Sequence, residues 1–250
     1  MATFHGLWSV AGFAGAAIGT GMISSQVPPI NHFIFIWFVF LIVTAIAAFY
    51  LVKKDEVISE KRPFFLMPDR SLIGLGFIAF CSMIAEGAMF DWSGIYFSKV
   101  VQVDPQLTGI GYTTFMIAMA ATRFLADGLS NRFGLRIILQ MSGLLTTIGL
   151  LLSVLFPSMI PSLMGFFIVG IGVSSVVPMV YSAAGKSNTL SAGAALTAVS
   201  SLGFMGFLIG PPIIGFIAEA SSLRISFLAI TVMSLSVVVL ASAMPNRAKD

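Results

Sequence analysis

Long stretches without any charged residue constrain this chain more than any other feature of its sequence. Lys, Arg, Asp and Glu are absent from residues 1–52, 137–185, 187–218 and 225–246. Charged residues make up 9% of the chain and hydrophobic residues 58%. An average soluble domain has about 25% charged residues and roughly 45–50% apolar residues. We therefore expect the chain to lie in a lipid bilayer, and not to be a soluble enzyme, a nucleic-acid-binding protein or a disordered chain.

The charge-free stretches divide into helices that are long enough to cross a membrane. One crossing takes about 20 apolar residues, so residues 137–185 hold two crossings, with a turn at Pro157–Pro161. Barrel strands would alternate polar and apolar side chains, but Phe33–Phe49 is apolar on every face except at Thr44. The sequence predicts an all-α polytopic membrane protein with eight transmembrane helices. They are 6–25, 32–52, 71–98, 106–126, 136–156, 161–183, 191–217 and 223–244.

Lys and Arg in the loops between these helices indicate the orientation of the chain. Of the 13 such residues, ten fall on one side of the predicted bundle, Lys99 and Arg224 fall on the other, and Arg123 lies inside a helix end. Short loops rich in Lys and Arg remain in the cytoplasm. We therefore expect both termini, and the loop 53–70, to be cytoplasmic.

Two of the predicted helices contain a similar glycine-rich segment. Residues 12–19 and 203–210 are identical at five of eight positions, with a constant offset of 191. The match can reflect close packing, because small residues let helices approach each other in lipid. It can also reflect a six-helix unit that occurs twice, as in transporters built from parallel repeats. Residues 71–250 would then form a complete C-terminal six-helix bundle, 1–52 the last two helices of an N-terminal bundle, and 53–70 the linker between bundles.

Four segments of the sequence together resemble the major facilitator superfamily, and within it a bacterial branch near the fucose permeases. They are His5–Ser9, Ala85–Trp92, Arg123–Asp127 with Arg132–Gly134, and Gly210–Gly215. The resemblance implies that the eight helices correspond to helices five to twelve of a twelve-helix, multi-pass carrier of the bacterial inner membrane. One departure from the family pattern is Thr122, which stands where a glycine commonly precedes the arginine.

This resemblance predicts secondary active transport of a small polar solute such as a sugar, coupled to protons and operating by alternating access. The offset of 191 and the start of the second unit near residue 71 place the start of the first unit about 120 residues before Met1. The chain is then an incomplete carrier that lacks the first four helices, and its protein partner is either that missing N-terminal set of helices or a second copy of itself. The alternative is a non-transporting membrane scaffold that needs a separate four-helix partner.

Glu86 is the most informative candidate for chemistry. It lies about 21 Å along its helix from Leu72, inside the apolar part of the bilayer. A carboxylate at that depth must face a water-filled cavity, pair with a cation or be protonated. The functional interpretation is proton coupling or binding of substrate hydroxyls, and the structural one is a bond to a polar group on a neighbouring helix.

Three further side chains are candidates for contact with the solute. Asp91 and Trp92 form either an outer rim of the site or an interfacial belt. Tyr181 can bind a polar solute or bond across helices. The default partners of such a protein are the bilayer, the solute and protons.

Charged residues also cluster at the predicted cytoplasmic end of the fourth helix. Arg123 and Asp127 are four residues apart and share a helix face. Either they form, with Arg132, a cytoplasmic gate that latches neighbouring helices in one state, or Arg132 and Arg136 only set the topology. The family resemblance favours the gate.

Three prolines interrupt predicted helices. Pro178 lies in the sixth helix, and Pro211 and Pro212 lie in the seventh. A proline inside a helix removes a backbone hydrogen bond and kinks the helix. These residues are candidate hinges, although plain packing kinks are equally common in membrane helices.

The sequence lacks the motifs that other chemistries would need. The phosphate-binding motifs Gly-x-Gly-x-x-Gly and Gly-x-x-x-x-Gly-Lys-Ser/Thr do not occur in the sequence. The two His and one Cys are far apart, which disfavours a metal site. We therefore expect no cofactor, no metal, no nucleic-acid partner and no enzymatic activity.

Overall fold

The computed structural model describes residues 2–50 and 69–244, without side-chain placement at 2–5, 126–127 and 129–131. The described part contains nine α-helices, which are α1 (Ala2–Ser24), α2 (Pro29–Tyr50), α3 (Arg70–Tyr96), α4 (Ile110–Phe133), α5 (Leu135–Leu155), α6 (Met159–Ser174), α7 (Val176–Ala184), α8 (Ala192–Ala220) and α9 (Leu223–Ser242). A π-helical turn, Phe97–Val101, continues α3, and a 3-10 turn, Pro105–Leu107, precedes α4. Most of the predicted 53–70 linker lies outside the described residues.

The prediction of an all-α polytopic membrane protein is confirmed. Seven helical segments of the described chain are long and apolar enough to cross a membrane, and the sixth predicted helix is one such segment, Met159–Ala184. It is broken at Ser175 into α6 and α7. The fourth predicted helix continues beyond residue 126 to Phe133, so the expected charged loop is helical.

Small polar residues begin three of the helices. Asp69 accepts a hydrogen bond from the Leu72 N–H at the start of α3. Ser191 does the same for Ala194 in α8, and Ser222 for the first turn of α9. Each side chain supplies an acceptor for an N–H that has no partner inside its helix. The loop residues therefore define where these helices begin.

Helices α3 to α9 pack into one bundle in which α3 lies against α8, α5 against α6 and α9, and α4 against α6. Its buried apolar side chains form two clusters, one towards each end of the bundle. The first includes Leu72, Ile138 and Val180. The second includes Phe97, Phe115 and Phe227. The site described below lies between them.

Helices α1 and α2 are covered much less. Helix α1 packs against α4, and Ala16 joins the second apolar cluster. Helix α2 has no buried residue along its whole length, although it is the most apolar of the spans. A helix that is apolar all round is typical of a membrane span or a buried core helix.

Candidate functional site

A buried ion pair forms the centre of the candidate site. The Nη2 atom of Arg123 lies 3.1 Å from the Oε1 atom of Glu86, and their side chains are 1% and 4% exposed. Arg123 lies about 20 Å along α4 from Ile110, and Glu86 about 24 Å along α3 from Arg70. Both charges therefore lie near the middle of their helices, and Glu86 has a cation as its partner.

Arg123 also binds groups on two other helices. Its Nη1 donates to the Ser9 hydroxyl on α1, and its Nε donates to the Ser174 carbonyl oxygen at the end of α6, 3.2 Å away. Its guanidinium carbon lies 5.6 Å from the centre of the Trp8 ring, which is within the range of a cation–π interaction. One cation thus joins α1, α3, α4 and α6.

Burial makes this arrangement energetically demanding. Moving a charge out of water costs several kcal/mol per ion even after relaxation, and attraction offsets that cost only when the geometry is good and other hydrogen bonds are made. Glu86 supplies the opposite charge, while Ser9 and Ser174 bind the remaining sides of the guanidinium. Each of the two buried charges thus has an oppositely charged partner, and Arg123 has hydrogen-bond acceptors besides.

Two tyrosines lie close to the part of α3 that carries Glu86. Tyr112 on α4 is half-buried, and its ring packs edge-on against Phe90. Tyr181 on α7 is buried, and its hydroxyl lies 3.8 Å from where a Cβ on Gly203 would be. The site thus combines an ion pair with nearby phenols, which are groups that bind hydroxyl-bearing solutes.

The other predicted contact residues, Asp91 and Trp92, make different contacts from those of the ion pair. Asp91 is exposed. Its neighbour Trp92 donates from Nε1 to the Pro211 carbonyl, 3.2 Å away, and so joins α3 to α8. Pro211 and Pro212 lie inside α8, which continues through both residues. An outer rim and a hinge at these positions stay predictions.

The predicted cytoplasmic gate is placed differently by the structure. Because α4 extends to Phe133, Arg123 lies in the middle of the helix rather than at its end, and it contacts Glu86. The Asp127 side chain lies outside the described residues. Arg132 is exposed, with its guanidinium 5.3 Å from the Phe133 ring centre. A gate formed by Arg123 and Asp127 stays a prediction.

The family of the chain follows from its sequence. Residues 75–249 match the model of the Major Facilitator Superfamily. The chain belongs to this superfamily. The prediction of that family from the Arg/Asp segment and its neighbours is confirmed, whereas placement near the fucose permeases is not decided by this match.

Three bacterial proteins match most of the chain in sequence. An uncharacterised MFS-type transporter of Yersinia pestis is 32% identical over 243 residues, covering 97% of this chain and 63% of the relative. An uncharacterised transporter of Sinorhizobium fredii is 31% identical, and the match covers 96% of this chain and 64% of that relative. Membrane protein MosC of Rhizobium meliloti is 39% identical over 152 residues, covering 61% and 37%. This chain thus spans less than two thirds of their length.

Solved structures show the same fold. A crystal structure of a mutant peptide transporter with bound sulfate has a TM-score of 0.63 and 17% identity, and covers 73% of this chain and 39% of that protein. The structure of the same transporter with bound alafosfalin has a TM-score of 0.61 and 18% sequence identity to this chain. The likeness shows a shared membrane fold, and the relatives in sequence support membrane transport.

Proposed function

We propose that this chain is the larger part of a secondary active transporter that moves a small polar solute by alternating access, coupled to protons through Glu86. The observation that carries the proposal is the Glu86–Arg123 pair, buried between the two apolar clusters of the bundle. Ionisable groups at this depth in a membrane are costly and usually functional. A sugar is the expected class of solute, because hydroxyl groups can bind a carboxylate, a guanidinium and phenols together.

Protonation of Glu86 would act on the contact between helices. A proton that arrives from a water-filled cavity binds a carboxylate oxygen and cancels its charge, while Arg123 keeps its own charge. The attraction between α3 and α4 then weakens, and Arg123 becomes available to the oxygen atoms of a solute. Since Arg123 also binds Ser9 on α1, the protonation state of Glu86 would influence the contact between the two proposed bundles.

The glycine-rich repeat supports further helices in the complete carrier. On α8, Gly206 and Gly210 pack closely against Phe80 and Ile84 of α3. Part of the corresponding face of α1 is open, since a Cβ on Gly15 or on Gly19 would meet nothing within 4 Å, whereas one on Gly12 would meet Met116 of α4. In the proposed repeat, the counterpart of α3 would cover this face, and the chain would contain helices five to twelve of twelve.

The length of the relatives supports the same proposal. The 243 matched residues are 63% of the Yersinia pestis transporter, so that protein has about 243/0.63 ≈ 386 residues. Two units at the offset of 191 predict at least about 382 residues. We accordingly propose a multi-pass protein of the bacterial inner membrane, from a branch of the superfamily near the fucose permeases. Its N- and C-terminal ends are both cytoplasmic.

The exposed surface of α2 favours one alternative function. Because α2 has no buried residue, a membrane scaffold that binds a separate four-helix partner fits the same structure. The DNA upstream of the Met1 codon discriminates between the two. An in-frame sequence encoding about four more apolar helices supports the carrier, and a stop codon with no such helices supports the scaffold.

Uptake into membrane vesicles tests the transport function. A chain completed to the length of its relatives should accumulate radiolabelled sugar when a proton gradient is imposed. Glu86→Gln should abolish the dependence of uptake on that gradient, whereas Glu219→Gln, at an exposed carboxylate near the end of α8, should retain it. Unchanged pH dependence in Glu86→Gln would remove Glu86 from coupling, and the absence of proton-driven uptake of every sugar tested would contradict the proposed substrate class.

A further inference from the structure

At the break between α6 and α7, the Ser174 carbonyl lacks its usual helical donor. In a continuous α-helix, the N–H of residue 178 would donate to the carbonyl of residue 174. Residue 178 is a proline, which has no N–H. The next donor along the chain, the Met179 N–H, binds the Ser175 carbonyl at 3.1 Å. Proline at this position therefore leaves the Ser174 carbonyl open to a donor from elsewhere.

Arg123 supplies that donor. Its Nε donates to the Ser174 carbonyl oxygen at 3.2 Å, and Ser174 is fully buried. A buried carbonyl without a partner is costly, and a charged donor makes a stronger bond than a neutral one. The guanidinium thus supplies the donor that the Ser174 carbonyl lacks, and this carbonyl supplies an acceptor for Nε.

We infer that Pro178 is a positioning residue for Arg123: by withholding its backbone N–H, it makes the Ser174 carbonyl the acceptor that fixes Nε. The guanidinium is planar and rigid. Fixing Nε in its plane therefore directs Nη2 at Glu86 and Nη1 at Ser9, where the structure has them. The inference depends on the proposed function only in regarding Glu86 as the coupling carboxylate.

The chain contains a matched proline for comparison. Pro212 also lies inside a membrane helix, α8, and likewise cannot donate to the carbonyl four residues before it. It is exposed, whereas Pro178 is buried. Pro212→Ala therefore restores a helical N–H at an exposed position of a different helix and serves as a control.

A double-mutant cycle on the chain itself tests the inference without any transport assay. Unfolding is measured by titration with dodecyl sulfate in mixed micelles, for proteins with Arg123 or Arg123→Lys. Lysine keeps the charge but lacks the planar fork of donors. With Pro178 present, Arg123→Lys should raise the unfolding constant by about tenfold or more, as expected for loss of a hydrogen bond from a charged group. In the protein with Pro178→Ala, which restores the N–H, the rise in the unfolding constant caused by Arg123→Lys should be at least about fivefold smaller.

Two backbone variants separate the missing N–H from the proline ring. Lactate in place of Pro178 has the alanine side chain but no N–H, so the full effect of Arg123→Lys should return. An ester between Ser174 and residue 175 weakens the Ser174 carbonyl as an acceptor and leaves Pro178 in place. It should reduce the effect as Pro178→Ala does, and it tests the inference should Pro178→Ala fail to fold.

The possible results all decide the question. An equal effect of Arg123→Lys in the proteins with Pro178, with Pro178→Ala and with the ester overturns the inference. An effect that is reduced equally by Pro212→Ala also overturns it, because the loss is then not specific to Ser174. Either result leaves the proposed function to be judged by uptake. Loss of proton-driven uptake in the complete carrier, with the cycle as expected, would instead contradict transport and leave the positioning role in place.

Discussion

Removing one charge of a buried pair harms a protein more than removing both. Glu86 and Arg123 are both almost fully buried, so Glu86→Gln leaves the Arg123 charge without its partner in a low-dielectric region. A loss of this kind costs about 3–5 kcal/mol. The single variant should therefore be strongly destabilised.

The double variant Glu86→Gln with Arg123→Gln should be less destabilised than the sum of the two single variants, because it leaves no unpaired charge. The free energy of unfolding in mixed micelles measures both effects. Glu219→Gln is the control and should change stability by less than about 0.5 kcal/mol, since its carboxylate is exposed. Additive losses in the double variant would show that the two charges do not stabilise each other.

Asp69 gives the chain a pH-dependent contact at the start of α3. The Leu72 N–H, at 2.8 Å, and the Thr189 hydroxyl, at 2.7 Å, both donate to its carboxylate. These bonds favour the charged form and lower the pKa of Asp69 below its usual value, the bond from Leu72 most. A lowered pKa adds stability above the unfolded-state pKa, and that stability is lost as the pH falls through the folded-state pKa.

Asp69→Asn should remove this acid-side loss of stability, because asparagine is also a good N-cap residue but does not titrate. Asp69→Ala should cost about 1 kcal/mol at neutral pH through loss of the cap. Unfolding followed from neutral to acidic pH measures both variants. An equally steep acid-side loss in Asp69→Asn would assign it to other carboxylates.

The sequence predicts which buried group needs a partner better than it predicts the partner. Glu86 had to face water, a cation or a proton because of its depth along the helix. The choice of Arg123 depends on where α4 ends and on how α3 and α4 pack, and the helix continues seven residues beyond its predicted end. Ser9 and Trp8 are harder still to foresee, because nothing in a serine or a tryptophan of the first helix indicates a distant guanidinium.

At the scale of elements, α5 and α6 approach so closely that only glycine fits between them. A Cβ on Gly165 would overlap the Gly149 carbonyl oxygen and the Ser153 hydroxyl. Gly165→Ala should therefore destabilise the bundle by about 1–3 kcal/mol through overpacking. Gly74→Ala is the matched control, since a Cβ there meets nothing within 4 Å, and it should be neutral or stabilising by up to about 1 kcal/mol. The same unfolding assay would contradict the close approach if the two variants were equally stable.

Helices were predictable where apolar stretches ended in prolines, glycines or charges, and less so elsewhere. The turn at Pro157–Pro161 correctly separates α5 from α6. The break at Ser175 was not visible as an end, because the segment around it is apolar and Pro178 alone indicates only a kink. Charge indicated a loop after residue 126, but a charged segment at a membrane surface can remain helical, as the end of α4 does.

At the scale of the whole molecule, the uncovered faces of α1 and α2 set its expected behaviour. Lipid can cover an apolar face, but it leaves the small-residue face around Gly15 and Gly19 without the close packing that such residues allow. The equivalent face of α8 is packed against α3. The chain alone should therefore either associate with itself through α1 or be stabilised by helices that cover this face.

We expect the 250-residue chain to form dimers or larger assemblies in mild detergent, as measured by light scattering after gel filtration. Co-expression of the unmatched part of the Yersinia pestis relative should convert these assemblies into a complex of one copy of each piece. Gly15→Leu should weaken both associations by filling the open face, whereas Gly128→Leu, at another open glycine on α4, should leave them unchanged. A monodisperse, heat-stable monomer that ignores the added segment would mean that α1 and α2 need no protein partner.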